Sequence, residues 1–139
     1  MGKPYAIAHF DTELNNRQQF LLENLPEVDS RVIVTKSDVG MIDLSALTAK
    51  TGCEYALFTK GNDRLVIRGN SQKVFVDENI ANELASQGYR WSGHTHVGND
   101  YNSLLASDGD YHILACFNQD ESVIYNSVGQ YLQFTKRRE

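Results

Sequence analysis

The chain has 139 residues, 41% hydrophobic and 22% charged, enough for one globular domain with a buried core. A net charge of −5, with Lys136-Arg137-Arg138 as the only basic cluster, argues against a nucleic-acid partner. No run approaches the roughly 20 apolar residues of a membrane-spanning helix, and no secretory signal opens the chain.

Taken in order, Tyr5-Ala6-Ile7-Ala8 reads as a short strand, and His9 next to Asp11 as ordinary surface chemistry. The stretch from Glu13 to Asn24 turns apolar at Phe20, Leu21 and Leu22, with Leu25 following. It fits a helix with one sticky face, ended near Pro26, that either docks on the body or serves as an interface. Arg31 to Thr35 is rich in β-branched residues and predicts a strand. Asp43 or Ser45 then opens a helix that Gly52 ends.

Glu54 to Thr59, a turn over Lys60 to Asp63, and Arg64 to Arg68 form an expected hairpin. Its first strand is apolar on both faces and so is expected at the centre of a sheet. A carboxylate at the start of such a strand, Glu54, is costly unless something uses it. Lys73 to Val76 is a further strand candidate. Asp77 caps a helix carrying Ile80, Ala81, Leu84 and Ala85, stopped at Gly88. Tyr89 to His96 predicts a strand, followed by a polar loop from Val97 to Ala106. Ser107 caps a helix with Ile113, Leu114 and Phe117 inward, and a hairpin of 122–126 and 130–135 closes the chain. Mixed helices and hairpins with few βαβ units predict an α+β fold.

Two cysteines, Cys53 and Cys116, form no CxxC pair and are too few for a disulfide framework, so a reducing compartment is expected. Cys116 lies four residues after His112 and is expected to be a small buried apolar residue rather than a nucleophile.

The informative stretch is Ser92-Gly93-His94-Thr95-His96, followed by Ser107-Asp108-Gly109-Asp110. Histidines at i and i+2 on a strand point to one side. Two imidazoles and a carboxylate suffice to hold a divalent metal with one position open. A hydrolase also needs a carboxylate that is not a ligand and a donor for a developing oxyanion. Glu54 and Ser107 are the residues available for those tasks. Ser107 is equally well explained as a helix cap, with Asp108 and Asp110 favouring the positive helix end.

Glu54, His94-Thr95-His96 and Ser107-Asp108-Gly109-Asp110 together resemble the JAMM motif of the JAB/MPN metalloproteases: an upstream Glu, His-x-His, then Ser-x-x-Asp. The resemblance covers about residues 44–135, which suggests an N-terminal extension over 1–43 and a JAB/MPN-like domain over 44–139. Leu44-Ser45-Ala46-Leu47-Thr48, Glu54-Tyr55-Ala56-Leu57-Phe58 and Ser122-Val123-Ile124-Tyr125 also resemble JAB-like domains of bacterial polymorphic toxin proteins.

The resemblance implies a mixed sheet flanked by helices, of the cytidine deaminase-like type. It implies Zn²⁺ held by His94, His96 and Asp110, with Glu54 as general base and then acid and Ser107 stabilising the oxyanion. It implies hydrolysis of peptide or isopeptide bonds in a protein or peptide substrate, such as a ubiquitin-like conjugate or the parent polypeptide. The chain would act in the cytoplasm or be delivered as a module of a larger secreted protein. Two departures stand out: Val97-Gly98 replaces the Pro usual after the second His, and the loop from His96 to Ser107 is longer than is common. Asp108 is a second candidate for the acidic ligand. Asp110 is preferred because Ser-x-x-Asp places both side chains one helical turn apart. A binding module is the competing expectation, with Asn99, Asp100 or Asn102 filling the open position. A third is a structural or capping domain of a larger secreted protein, whose first 43 residues pack against further sequence and which, in isolation, self-associates through Phe20, Leu21 and Leu25.

Overall fold

The computed structural model describes residues 13–137. The expected strand over 5–8 and the His9 and Asp11 neighbours lie outside them. The described chain runs α1 (Asn16–Glu23), β1 (Arg31–Thr35), α2 (Met41–Thr51), β2 (Tyr55–Lys60), β3 (Asp63–Arg68), α3 (Glu78–Ser86), β4 (Arg90–Thr95), a 3-10 turn (Tyr101–Leu104), α4 (Asp108–Cys116), β5 (Glu121–Tyr125) and β6 (Tyr131–Thr135). The fold is α+β: one mixed sheet in the order β1-β3-β2-β4-β5-β6, flanked by helices. Every neighbouring pair is antiparallel except β4 with β5, which α4 connects as a parallel pair. No described helix is long and apolar enough to cross a membrane.

Alternation along β2 and β3 divides the core into two layers. Ala56, Phe58, Leu65 and Ile67 face Ala81 and Leu84 of α3 and Leu114 and Phe117 at α4. Tyr55, Leu57 and Val66 face Leu44 and Leu47 of α2 and Leu21 of α1. β2 is therefore covered on both sides, which is why its sequence is apolar at consecutive positions.

Local chemistry sets the helix ends. Asn15 and Gln18 form a reciprocal capping box at α1. Asp77 Oδ1 accepts from Ile80 N at α3, and Ser107 Oγ accepts from Asp110 N at α4. α2 starts earlier than the sequence suggests. Gly40 is its N-cap, and Asp43, in its first turn, accepts from Gly40 N at 2.8 Å. Asp43 is buried because it also accepts from Arg17 Nη2 and Gln18 Nε2, which ties α1 to α2.

The described part of 1–43 is continuous with the rest of the fold. β1 pairs with β3, and Leu21 and Leu25 are fully buried, whereas Phe20 is exposed. The boundary suggested between residues 43 and 44 falls inside α2.

Lys73 to Val76 is a correction to the expected elements, because it forms no strand. Asn70 N donates to Lys73 O, and Asn70 Oδ1 accepts from the amides of Gln72 and Lys73. This asparagine-built turn takes the chain out of the sheet directly after β3. The segment becomes an extended strap along the cavity described next.

Candidate metal centre

His94 is the fifth residue of β4, and His96 follows its last residue. Their side chains lie on the α3/α4 side of the sheet with the Nε2 atoms 3.1 Å apart. Gly93 lets β4 approach its neighbours this closely. A Cβ there would lie 2.8 Å from Val123 Cγ1 and 2.9 Å from Met41 Sδ. On the far side of the cavity, Asp110 sits in the first turn of α4. Its carboxylate oxygens lie 3.0 Å from His94 Nε2 and 3.3 Å from His96 Nε2.

These separations fit one small ion. Tetrahedral coordination with bonds of about 2.0–2.1 Å places neighbouring ligand atoms about 3.3 Å apart. His94, His96 and Asp110 are the one group among the described residues with this capacity. Proton placement supports the fit. His96 Nδ1 lies 2.8 Å from Ser103 O, which can only accept, so Nδ1 carries the hydrogen and the neutral ring offers a bare lone pair at Nε2. Nitrogen lone pairs and a carboxylate converging on one point require positive charge between them, as a proton or as a cation.

The ionisation of these groups reflects the same need. Burial alone would raise Asp110, but in the metal-free chain, where a proton rather than a cation sits between these groups, hydrogen bonds from His94 and His96 outweigh it and hold Asp110 well below the usual carboxylate range. Burial depresses His94 despite Asp110. Burial acts likewise on His96, but Asp110, Glu54 and the Ser103 carbonyl overcome it and raise that ring.

Glu54 immediately precedes β2, two residues before Ala56, which pairs with His94. Extending that register brings Glu54 opposite His96. Its backbone is fixed on the other side, with Glu54 N donating to Asn70 O and Gly69 N donating to Glu54 O. Glu54, His94, His96, Ser107 and Asp110 line one cavity of about 800 Å³, walled by the strap and α4. Glu54 is 6% exposed. Burial pushes its carboxyl up to about 8, with His96 opposing and Asp110 adding to the shift.

This predicts a pH dependence for metal-free protein. Between the unfolded value of 4.5 and about 8, folded Glu54 holds a proton that the unfolded chain releases. Its contribution to stability is complete below that window and disappears as pH rises through it. Chelated protein should lose a few kcal/mol between about pH 5 and pH 8 from this group. Urea unfolding should show a flatter profile for Glu54→Gln, and parallel profiles would refute the proton at Glu54.

The two acidic candidates separate clearly. Asp108 points outward and pairs with Arg137 at 2.6 Å, whereas Asp110 joins the histidines. Asp100, one candidate for blocking the site, is used elsewhere, capping the 3-10 turn through Ser103 N. Asn102 does line the cavity. The Cys116 thiol is pushed up by burial and by Glu78, away from nucleophilic reactivity. Sequence reasoning missed Thr95, Ser103 and Trp91, which organise the site from behind. Thr95 and Trp91 had only their nearness to the histidines as a signal, and Ser103, seven residues after His96, had none.

Compared with protein-family models, curated proteins and solved structures, the chain matches none of them.

Proposed function

We propose that this protein is a JAMM-type zinc peptidase or isopeptidase with a JAB/MPN-like fold. The observation that carries the reading is the triangle of His94 Nε2, His96 Nε2 and the Asp110 carboxylate, sharing a cavity with a buried carboxyl that is not part of it. Zinc held by these three would supply Lewis acidity, acidifying water to a pKa of about 7 and polarising a carbonyl.

The chain's own residues complete the chemistry. Glu54 is buried in the same cavity without belonging to the triangle, the placement needed for a group that takes a proton from water and returns it to a leaving amine. The carboxylate accepts the water proton, and the resulting acid protonates the departing nitrogen. Ser107 Oγ uses a lone pair to accept from Asp110 N, so its hydrogen is not committed to the cap. It can donate to the carbonyl oxygen as that atom becomes negative. Asp110 N and Ser107 N fix the two partners reciprocally at the start of α4. The strap and the exposed Val97 and Leu105 border the cavity, where a peptide segment can lie.

The substrate class follows from the chemistry and the sequence resemblance: a protein or peptide amide, such as a ubiquitin-like conjugate or a parent polypeptide from which a toxin module is released. The test is hydrolysis of a panel of lysine isopeptide and peptide conjugates. Cleavage should cease on zinc depletion and return with about one equivalent of zinc. Zinc binding without cleavage across the panel would favour a recognition module instead.

A further inference from the structure

We propose that Trp91 is a positioning residue for His94, holding the imidazole by ring contact where no hydrogen bond holds it. The proposal rests on the metal reading above. The two histidines are supported differently. His96 Nδ1 meets Ser103 O at 2.8 Å, whereas His94 Nδ1 is sealed from solvent with no hydrogen-bond partner. A metal-ligating histidine ordinarily has its second nitrogen fixed by an acceptor, which sets the direction of the first. For His94, aromatic rings take that place. Trp91 stacks on it with centroids 4.8 Å apart and planes inclined by 27°. Phe134 of β6 stands edge-on to both, 5.8 Å from Trp91 and 6.3 Å from His94.

Strand alternation would place positions 91 and 94 on opposite faces of the sheet. A bulge prevents this. Leu57 pairs with Gly93 and Phe58 with Trp91, so Ser92 is an extra residue and the alternation is reset. The bulge therefore brings the indole onto the face that carries His94. Its backbone is then clamped: Trp91 N donates to Gln119 Oε1 at 2.6 Å, while Gln119 Nε2 and Ser122 Oγ donate to Trp91 O. The indole Nε1 is also buried without a partner, so the ring is placed by packing and backbone anchoring rather than by its own polar atom.

The test uses the full chain and zinc alone. Trp91 is the single tryptophan, so its fluorescence reports directly on the ring beside His94. Zinc titration of metal-depleted wild type should change that emission in step with zinc binding measured by calorimetry. Trp91→Leu should weaken zinc affinity about 10–100-fold in competition with a chelator, while Trp91→Phe stays within about threefold. Both variants are compared at matched helicity and cooperative melting. If Trp91→Leu does not fold, the wild-type titration decides. An emission that ignores saturating zinc, or a folded Trp91→Leu with wild-type affinity, overturns the role of Trp91 alone. A wild-type chain that binds no zinc overturns the metal reading and this proposal with it.

Discussion

Glu54→Gln should lower hydrolysis by about 10²- to 10⁴-fold while leaving zinc content unchanged. Glutamine fills the same buried volume and keeps the backbone bonds to Gly69 and Asn70. It cannot accept a proton from water or return one to an amine. Because Glu54 is not part of the ligand triangle, the metal should stay. The loss should appear in kcat rather than in KM, since proton transfer belongs to the transition state. Turnover within tenfold of wild type would remove Glu54 from the mechanism and leave His94, His96 and Asp110 as a site without a base.

Thr95→Val should produce the largest effect on stability. Thr95 lies between the two histidines, but its side chain points to the α2 face and is fully buried. Its hydroxyl oxygen accepts from Tyr55 N at 2.8 Å and lies 2.6 Å from Thr48 Oγ1. One atom thus joins α2, the start of β2 and the end of β4, the strands that position Glu54 and the histidines. Valine has the same shape and no acceptor, so it leaves a buried amide unsatisfied and strips the Thr48 hydroxyl of its partner. Each loss costs about 1–3 kcal/mol, about 2–6 kcal/mol together, and the melting temperature should fall by roughly 10 °C or more. Thermal denaturation measures this directly, and a shift below about 2 °C would mean that the three-way contact is unimportant.

Features of the site that depend on neighbours in sequence were legible without a structure. The i, i+2 histidines needed only strand alternation, and Ser107 with Asp110 needed only the geometry of a helix start. Leu21 and Leu25 were recognisable as an apolar face, and the structure buries them against α2. What could not be read depends on long-range pairing. The bulge at Ser92 has no local signature, because the register of β4 against β2 creates it. Lys73 to Val76 has strand-like residues, yet the turn at Asn70 denies it a partner. Asp43 looked like a helix start from its type alone. Its burial became intelligible only with Arg17 and Gln18, more than twenty residues away in sequence. The approach of Glu54 to His96 likewise follows from β2 lying next to β4, a neighbourhood the sequence does not state.

The claim on which the proposed chemistry depends is that His94, His96 and Asp110 hold one metal ion. The direct measurement is elemental analysis of the purified full chain by mass spectrometry, alongside a folded Asp110→Ala variant. The proposed site predicts close to one zinc per wild-type chain and almost none in the variant. A wild-type chain that stays metal-free after incubation with zinc, or a variant that retains the full complement, would contradict it.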